Sequence, residues 1–326
     1  MPSSSKLNVV LYAPLYDTGG QGWKIKRAFE RYYSDEFSVR SIHMMDSYFK
    51  YPYDLRYRPT EAYPIFAAAD VVHMRNGLES LDRLLGERRA DLPMPGLVVQ
   101  HHGTRFREHH ARLAAEVRAV GAVQLASTLD LTLLEPDVAW LPAPFNLEEM
   151  ASYRPSERPD GPIRVAHAPT NRSVKSTARV IEAIANLHRA GYGVVFDLIE
   201  RVSYEECLRR KGKADIFVDQ LDLGIGNNSL EAFGMSIPVV AGVSNPAVRE
   251  AMLAKWGYLP FYEANEDNLE ERLAHLIRNY ELRAQVGGDG FQYLVSWHHE
   301  EVVVRQLAEV YRTVAARPSG LAEGVA

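Results

Sequence analysis

The chain has 326 residues, of which 46% are hydrophobic and 24% charged, and a net charge of −5 at neutral pH. One hydrophobic core rarely organises more than roughly 250–300 residues, so two domains are expected, and the ordinary composition excludes a disordered or fibrous chain. No stretch reaches the ~20 apolar residues of a membrane span, residues 1–5 (MPSSS) lack a secretory pattern, and the single Cys207 excludes an internal disulfide framework. A cytoplasmic protein is expected, with peripheral attachment to a membrane left open. Residues 1–145 carry 17 basic and 17 acidic side chains, leaving 20 and 25 of the chain's 37 and 42 for the rest. This argues against nucleic-acid binding driven mainly by charge.

In chain order, 6–13 reads as an apolar strand, followed by a glycine-rich turn, 17–22, and a helix over 23–33. Trp23, Ala28, Phe29 and Tyr32 are expected on its inner face, with Lys24, Lys26, Arg27 and Arg31 outside. Gly19 and Gly20 let the backbone approach a phosphate or sugar closely, although Gly19, Gly20 and Gly22 do not have the dinucleotide-binding spacing. A strand over 37–42 precedes an irregular, aromatic segment, 43–69, holding Tyr48, Phe49, Tyr51, Tyr53, Tyr57, Tyr63 and Phe66 with Arg56 and Arg58. Its rings either stack on a sugar or base or simply pack on the domain. Strands over 70–74, 96–100, 122–126 and 138–141 then alternate with helices over 78–88 and 105–120, Thr104 capping the second. His101-His102 and Ser127 fall at strand ends, the edge where parallel sheets bind ligands.

Five prolines crowd residues 142–162, the best candidate for an interdomain linker. A strand over 163–168 follows, then Arg172 and Lys175 at the start of a helix reaching 190. Cations are disfavoured at a helix N-terminus, so these two point to an anion such as a diphosphate, unless both are simply solvated. A strand over 194–199 and a helix over 204–211 lead to the most informative stretch, 215–242. A strand, 216–218, enters a loop with Gly224, Gly226, Asn227 and Asn228. Ser229-Leu230-Glu231 opens a helix, and a strand, 239–241, follows. Such a loop presents backbone N–H groups to an anion. Glu231 suits a hydrogen-bond donor such as a ribose hydroxyl pair, or else it merely favours the helix dipole. The chain closes with helices over 246–255 and 268–279, a short strand over 259–262, and a last helix over 299–315 with Val302, Val303, Leu307, Val310 and Tyr311 on one face.

The Gly19-Gly20 turn, the HHG of 101–103, LPAPFNLEE at 141–149, APTNRSVKST at 168–177, NNSLEAFGMSIPVVAG at 227–242 and SWHHEEVVVRQLAEVYRTV at 296–314 together resemble the GT-B glycosyltransferases of the broad group 1, or family 4, class. The resemblance covers nearly the whole chain, and its most specific part is NSLEAFGMSIPVV. It implies an α/β fold of two Rossmann-like parallel-sheet domains facing across a cleft, with a C-terminal helix crossing back to the first. The domains would be 1–145 with 299–316 on the acceptor side and 163–298 on the donor side, with 146–162 as linker and 317–326 a flexible tail. It further implies transfer of a sugar from a nucleotide diphosphate sugar, UDP- or GDP-linked, to a hydroxyl acceptor. That acceptor would be a glycan, lipid-linked glycan, small molecule or modified DNA base, met through 43–69, with DNA the minority choice. Retention of configuration, no metal and no tightly bound cofactor would accompany it. Arg172 and Lys175 would hold the diphosphate, Glu231 the ribose, and Asn228, Ser229 and Leu230 the phosphates through backbone N–H groups. Gly19 and Gly20 would admit the phosphate and acceptor, and His101 or His102 would reach the sugar or act as base in an inverting enzyme. Many retaining members have an earlier glutamate where Leu223 stands here. A non-catalytic nucleotide-sugar-binding or scaffold protein and a nucleotide-sugar epimerase are the alternatives on the same fold.

Overall fold

The computed structural model describes residues 6–14, 16–46, 49–75, 78, 95–155 and 161–316. Nearly all of the helix expected over 78–88, part of the linker, Tyr48 and the tail from 317 lie outside the described residues. The chain divides into two compact units, one running to Pro144 and resuming at Glu300, the other Phe145–His299.

The first unit is built on β1 (Leu7–Ala13), α1 (Gln21–Tyr32), β2 (Phe37–His43), β3 (Leu55–Arg56), α2 (Pro59–Ala67), β4 (Val71–Arg75), β5 (Gly96–His101), α3 (Gly103–Ala119), β6 (Val123–Ala126), α4 (Leu129–Thr132) and β7 (Val138–Trp140). Its sheet is parallel, in the order β3-β2-β1-β4-β5-β6-β7. β1 and β4 are almost wholly buried, the pattern of strands covered on both faces. Strand order reverses at β1, which makes the crevice beyond the ends of β1 and β4 the natural ligand position.

Three local expectations change. α1 buries Ile25, Ala28 and Phe29, whereas Trp23 and Tyr32 are half-buried. Lys26 is buried too, because Glu30 and Asp54 pair with it at 2.6 and 3.2 Å. The irregular aromatic segment contains β3 and α2, whose first position suits Pro59. Tyr57 and Phe66 pack on the buried Tyr12, so part of that aromatic supply builds the core. Thr104 does not cap α3; the helix begins at Gly103, whose φ of +55° suits glycine, and His102 precedes it.

The second unit contains α5 (Leu147–Ser152), β8 (Ile163–His167), α6 (Thr177–Arg189), β9 (Val194–Leu198), α7 (Tyr204–Lys211), β10 (Ile216–Val218), α8 (Asn227–Gly234), β11 (Val239–Ala241), α9 (Pro246–Trp256), β12 (Tyr262–Glu263), α10 (Leu269–Arg278) and α11 (Tyr280–His298). All strands are parallel, in the order β12-β11-β10-β8-β9, with the reversal at β8. The segment read as a linker holds α5, capped where Asn146 Oδ1 accepts from Glu149 N–H at 2.7 Å. α11 is unanticipated because Gly287, Gly288 and Gly290 weaken helix propensity. Their packing explains them. A methyl at Gly290 would stand 2.3 Å from the Phe233 ring, and one at Gly234 2.6 Å from Met150. α8 is thus wedged by α11 and α5 at glycine contacts.

The last helix, α12 (Glu300–Ala315), belongs to the first unit. Val303, Val304, Leu307, Ala308, Tyr311 and Val314 are its buried apolar residues, joining Val9, Leu11, Ile25, Phe29 and Phe37. Val302 and Val310 of the expected face lie at its margin, half-buried. Burying each large apolar side chain contributes about 1.5–3 kcal/mol. Gly96 admits the helix, since a Cβ there would lie 2.6 Å from the Val314 carbonyl oxygen. Among the described residues no helix is long and apolar enough to cross a membrane.

Candidate functional site

In the second unit, polar side chains converge just beyond β8 and β10, where strand order reverses. Asp219 and Gln220 follow β10. Lys175, on the turn before α6, is buried and donates to Asp219 Oδ1 at 2.6 Å and Gln220 Oε1 at 2.9 Å. Asp219 Oδ2 accepts from Ser229 Oγ, on the first turn of α8, at 2.6 Å. Burial alone would raise the Asp219 pKa; Lys175 and the Ser229 hydroxyl outweigh it and hold the carboxyl below its ordinary range. A Cβ at Gly226 would stand 3.1 Å from Asp219 Oδ2 and 3.2 Å from Lys175 Nζ, so glycine is what lets this loop close over the pair. Ser176, beside Lys175, has a left-handed backbone (φ +48°), a strained conformation of the kind concentrated at functional sites.

Glu231, one turn into α8, is buried and paired through Oε2 with Lys211 Nζ. Lys211 also donates to Asn228 Oδ1 at 2.8 Å, and Asn228 Nδ2 donates to the Ala168 carbonyl at 2.8 Å. Burial pushes the Lys211 pKa down, but the Glu231 carboxylate and its hydrogen bond carry it above the ordinary lysine value. The start of α8 is therefore tied to α7 by one charged, fully buried side chain, Lys211, and to the end of β8 by the Asn228 amide. At the foot of α6, His167 Nδ1–H donates to the Val218 carbonyl at 2.8 Å, and its Nε2 accepts from the Thr177 hydroxyl at 2.9 Å.

The structure thus assembles Lys175, Asn228, Ser229 and Glu231, whereas the Leu230 N–H, expected to meet a phosphate, is bound to the Gly226 carbonyl at 3.1 Å. Arg172 stands apart from Lys175. It is exposed and grips Glu200, beyond β9, through Nε at 2.8 Å and Nη2 at 2.5 Å. The two cations at the head of α6 therefore have separate counter-ions within the protein, Asp219 and Glu200, and the expected shared anion is not needed to explain them. Leu223 is half-buried and bridges to Val243. Among the described residues no cluster of three His, Cys, Asp or Glu side chains has the form of a metal site.

The first unit has its own cluster at the matching place, beyond β1 and β4. Gly19 and Gly20 take left-handed backbone angles (φ 64° and 65°), and the Tyr51 ring lies against Gly20, 2.6 Å from where a Cβ would stand. Asp17, fully buried, accepts from the Gly22 and Trp23 N–H groups at 2.9 and 3.0 Å, satisfying two open donors of α1. Arg75, the last residue of β4 and 1% exposed, has Nε 3.6 Å from Asp17 Oδ1. Its Nη2 is 3.5 Å from Gln21 Oε1 and 3.0 Å from His102 Nε2.

His101 and His102 part company, as successive strand residues point to opposite faces. His101 stacks on Phe106, ring centres 3.9 Å apart, and its Nε2–H donates to Gln124 Oε1 at 2.9 Å. It is a packed core residue, and only His102 joins the glycine-turn cluster. Burial lowers both pKa values, and Arg75 lowers that of His102 further. Sequence reasoning missed Asp17, Arg75 and Lys211. A signal existed for two of them: Arg75 ends a buried apolar strand at its ligand-facing edge, and Lys211 lies four residues after Cys207 on the inner face of α7.

No protein-family profile and no curated protein sequence matches the chain. Solved structures do match in fold. An alpha-glucosyltransferase in complex with UDP and a 13-mer DNA containing a central A:G mismatch superposes with a TM-score of 0.64 at 11% identity, covering 93% of this chain and 99% of that one. HepE of Anabaena in complex with UDP-glucose gives 0.64 at 13% identity over 94% and 99%. A Listeria monocytogenes protein, provisionally assigned as a UDP-N-acetylglucosamine 2-epimerase, gives 0.59 at 12% identity over 97% and 100%. Two parallel-sheet α/β units with these neighbours define the fold class: the chain has the GT-B fold that its motifs led one to expect.

Proposed function

We propose that the protein is a glycosyltransferase that uses a nucleoside diphosphate sugar, with UDP the first nucleotide to test. The observation that carries this reading is the cluster at the β8–β10 reversal. It joins Lys175, through Asp219 and Ser229, to the first turn of α8, whose next turn begins at the buried Glu231. Lys175 has three N–H donors and spends two on Asp219 and Gln220, leaving one for a phosphate oxygen. The free α8 backbone N–H groups at Asn228 and Ser229 take the diphosphate, and Glu231 takes the ribose. Arg172 exchanges its exposed Glu200 contact for the diphosphate. In the reaction the acceptor oxygen replaces the diphosphate oxygen at the anomeric carbon, the hydroxyl proton passes to the departing diphosphate oxygen, and the nucleoside diphosphate leaves with its charge stabilised by these fixed donors rather than by a metal. Gly19, Gly20 and His102 serve the transferred sugar and the acceptor hydroxyl, and configuration is retained.

A panel of UDP- and GDP-sugars with and without hydroxyl acceptors, scored by nucleoside diphosphate release and by the anomeric configuration of the product, tests this, with chelator present in one arm. Binding with no release under any condition overturns it in favour of a binding or scaffold protein. The DNA-bound and epimerase neighbours justify a modified-DNA acceptor and an acceptor-free arm. Donor interconversion without acceptor would favour the epimerase reading. Glu231→Ala should weaken UDP binding in calorimetry. Arg172→Ala with Lys175→Ala should weaken UDP more than uridine, and equal losses would make those cations structural.

A further inference from the structure

The contact of Arg75 with His102 decides which nitrogen of that histidine carries a proton. Arg75 Nη2 is 3.0 Å from His102 Nε2. A guanidinium has no acceptor and stays protonated, so Nη2 donates and Nε2 accepts. A ring turned over would set a C–H against the cation instead. The neutral imidazole therefore carries its proton on Nδ1. Nδ1 has no hydrogen-bond partner among the described residues, yet it is not one of the buried polar atoms left without one. It is the open edge of a side chain that is otherwise 7% exposed.

Arg75 is an unusual cation to bury. Its Nε and Nη1 make no hydrogen bond, and its nearest carboxylate oxygen in Asp17, at 3.6 Å, is too far for one. A buried charge so poorly satisfied costs stability, and the His102 contact is its shortest. The groups around His102 all oppose a second proton on the ring: Arg75 and His73 from β4, and His101 from β5. Asp17, from the turn into α1, is turned to Arg75 and to the α1 N–H groups.

We propose that Arg75 is a positioning residue, which holds His102 as a neutral Nδ1–H donor that hydrogen-bonds a hydroxyl or carbonyl oxygen of the ligand and does not act as a base. This rests on the reading of the first unit as the part that serves the transferred sugar and acceptor. It removes His102 from the base role that an inverting mechanism would give it, because Nδ1 is already protonated and Nε2 is occupied.

The test is side-chain 15N NMR of histidine-labelled protein, with His102→Gln to assign the resonances. Wild-type His102 should show the Nδ1–H pattern and no titration between about pH 5.5 and 8.5. Arg75→Met should give a tautomer mixture, while burial continues to hold the ring's pKa low. A wild-type proton on Nε2, or a tautomer population that Arg75→Met leaves unchanged, overturns the proposal. Should Arg75→Met not fold, Arg75→Gln, whose amide can accept as well as donate, must shift the tautomer population, and no shift counts against it. Where the donor panel yields activity, Arg75→Met should lower kcat/KM by about tenfold to a hundredfold, mostly in kcat. His102→Asn, whose amide N–H overlays Nδ1–H, should keep more activity than His102→Ala. A protein that binds no nucleotide sugar sinks the transferase reading, while the tautomer measurement still decides the role of Arg75.

Discussion

The two polar clusters occupy the same place in their sheets and are wired in opposite ways. Beyond β8 and β10, Lys175 and Lys211 each have a carboxylate in direct contact, and Asp219 and Asn228 spread those contacts across three elements. Beyond β1 and β4, Arg75 has a loose ion pair, two idle donors and a histidine for its best partner. The lesson is that burial of charge serves two ends. Where cation and anion are matched, the pairing fixes a helix start; where they are mismatched, the surplus field sets the protonation of a neighbour.

The largest effect should come from Lys211→Met, which leaves Glu231 buried without a counter-charge. Destabilisation of about 3–5 kcal/mol is expected in urea unfolding, and the added Glu231→Gln change should restore much of it. A loss below about 1 kcal/mol would break the comparison. Next comes acid. His73, buried and beside Arg75, has its pKa pushed down to about 3, and His43, His101 and His102 of the first unit are lowered as well, each chiefly by burial. A folded pKa below the unfolded one means that the unfolded chain binds more protons. These groups therefore withdraw stability as pH falls below about 6.5. Asp219 works lower down: its stabilising share is complete above about pH 3.9 and is lost as pH falls through its depressed folded value. In the second unit His167 is lowered in the same way. Hydrogen exchange followed against pH should show the first unit losing protection first, and His73→Gln should flatten its slope.

Gly290→Ala should cost about 1–3 kcal/mol by overpacking against Phe233, and it should also weaken UDP binding, because α8 carries Glu231. Stability lost with affinity unchanged would separate the helix clamp from the site. The smallest effect is reserved for Arg172→Ala. Arg172 is 60% exposed in its pair with Glu200, so the melting temperature should stay within error while Lys175→Ala lowers it. Equal losses would erase the distinction between the two cations.

Much of this architecture was legible beforehand. The alternation of apolar strands and amphipathic helices located every strand except β3, with β12 set three residues early, and the start of α8 was read at Ser229, two residues after its first residue, Asn227. The failures share a cause, in that tertiary contacts overrode local signals. Glycines that discourage a helix serve in α11 to bring it against Phe233, and a proline-crowded stretch hides α5 because Asn146 supplies a cap and Met150 a buried contact. Arg75 and Lys211 are charged residues at interior positions, and their importance comes from the partners that the fold brings across 27 and 20 residues of chain. Arg172 and Lys175, three residues apart, look equivalent in sequence; the different carboxylates within their reach separate them.

The placement of α12 has a consequence for how the chain matures. The second unit is one continuous segment, while the first is interrupted by it and lacks Leu307, Tyr311 and Val314 until the whole second unit has been made. On a ribosome the later-encoded unit is thus the first able to complete its core. The earlier one waits during that interval without the helix that covers Val9, Phe29 and Phe37. A nascent chain stalled before residue 300 should bind a hydrophobic dye at its N-terminal half and be cut there by protease, with 145–299 already resistant.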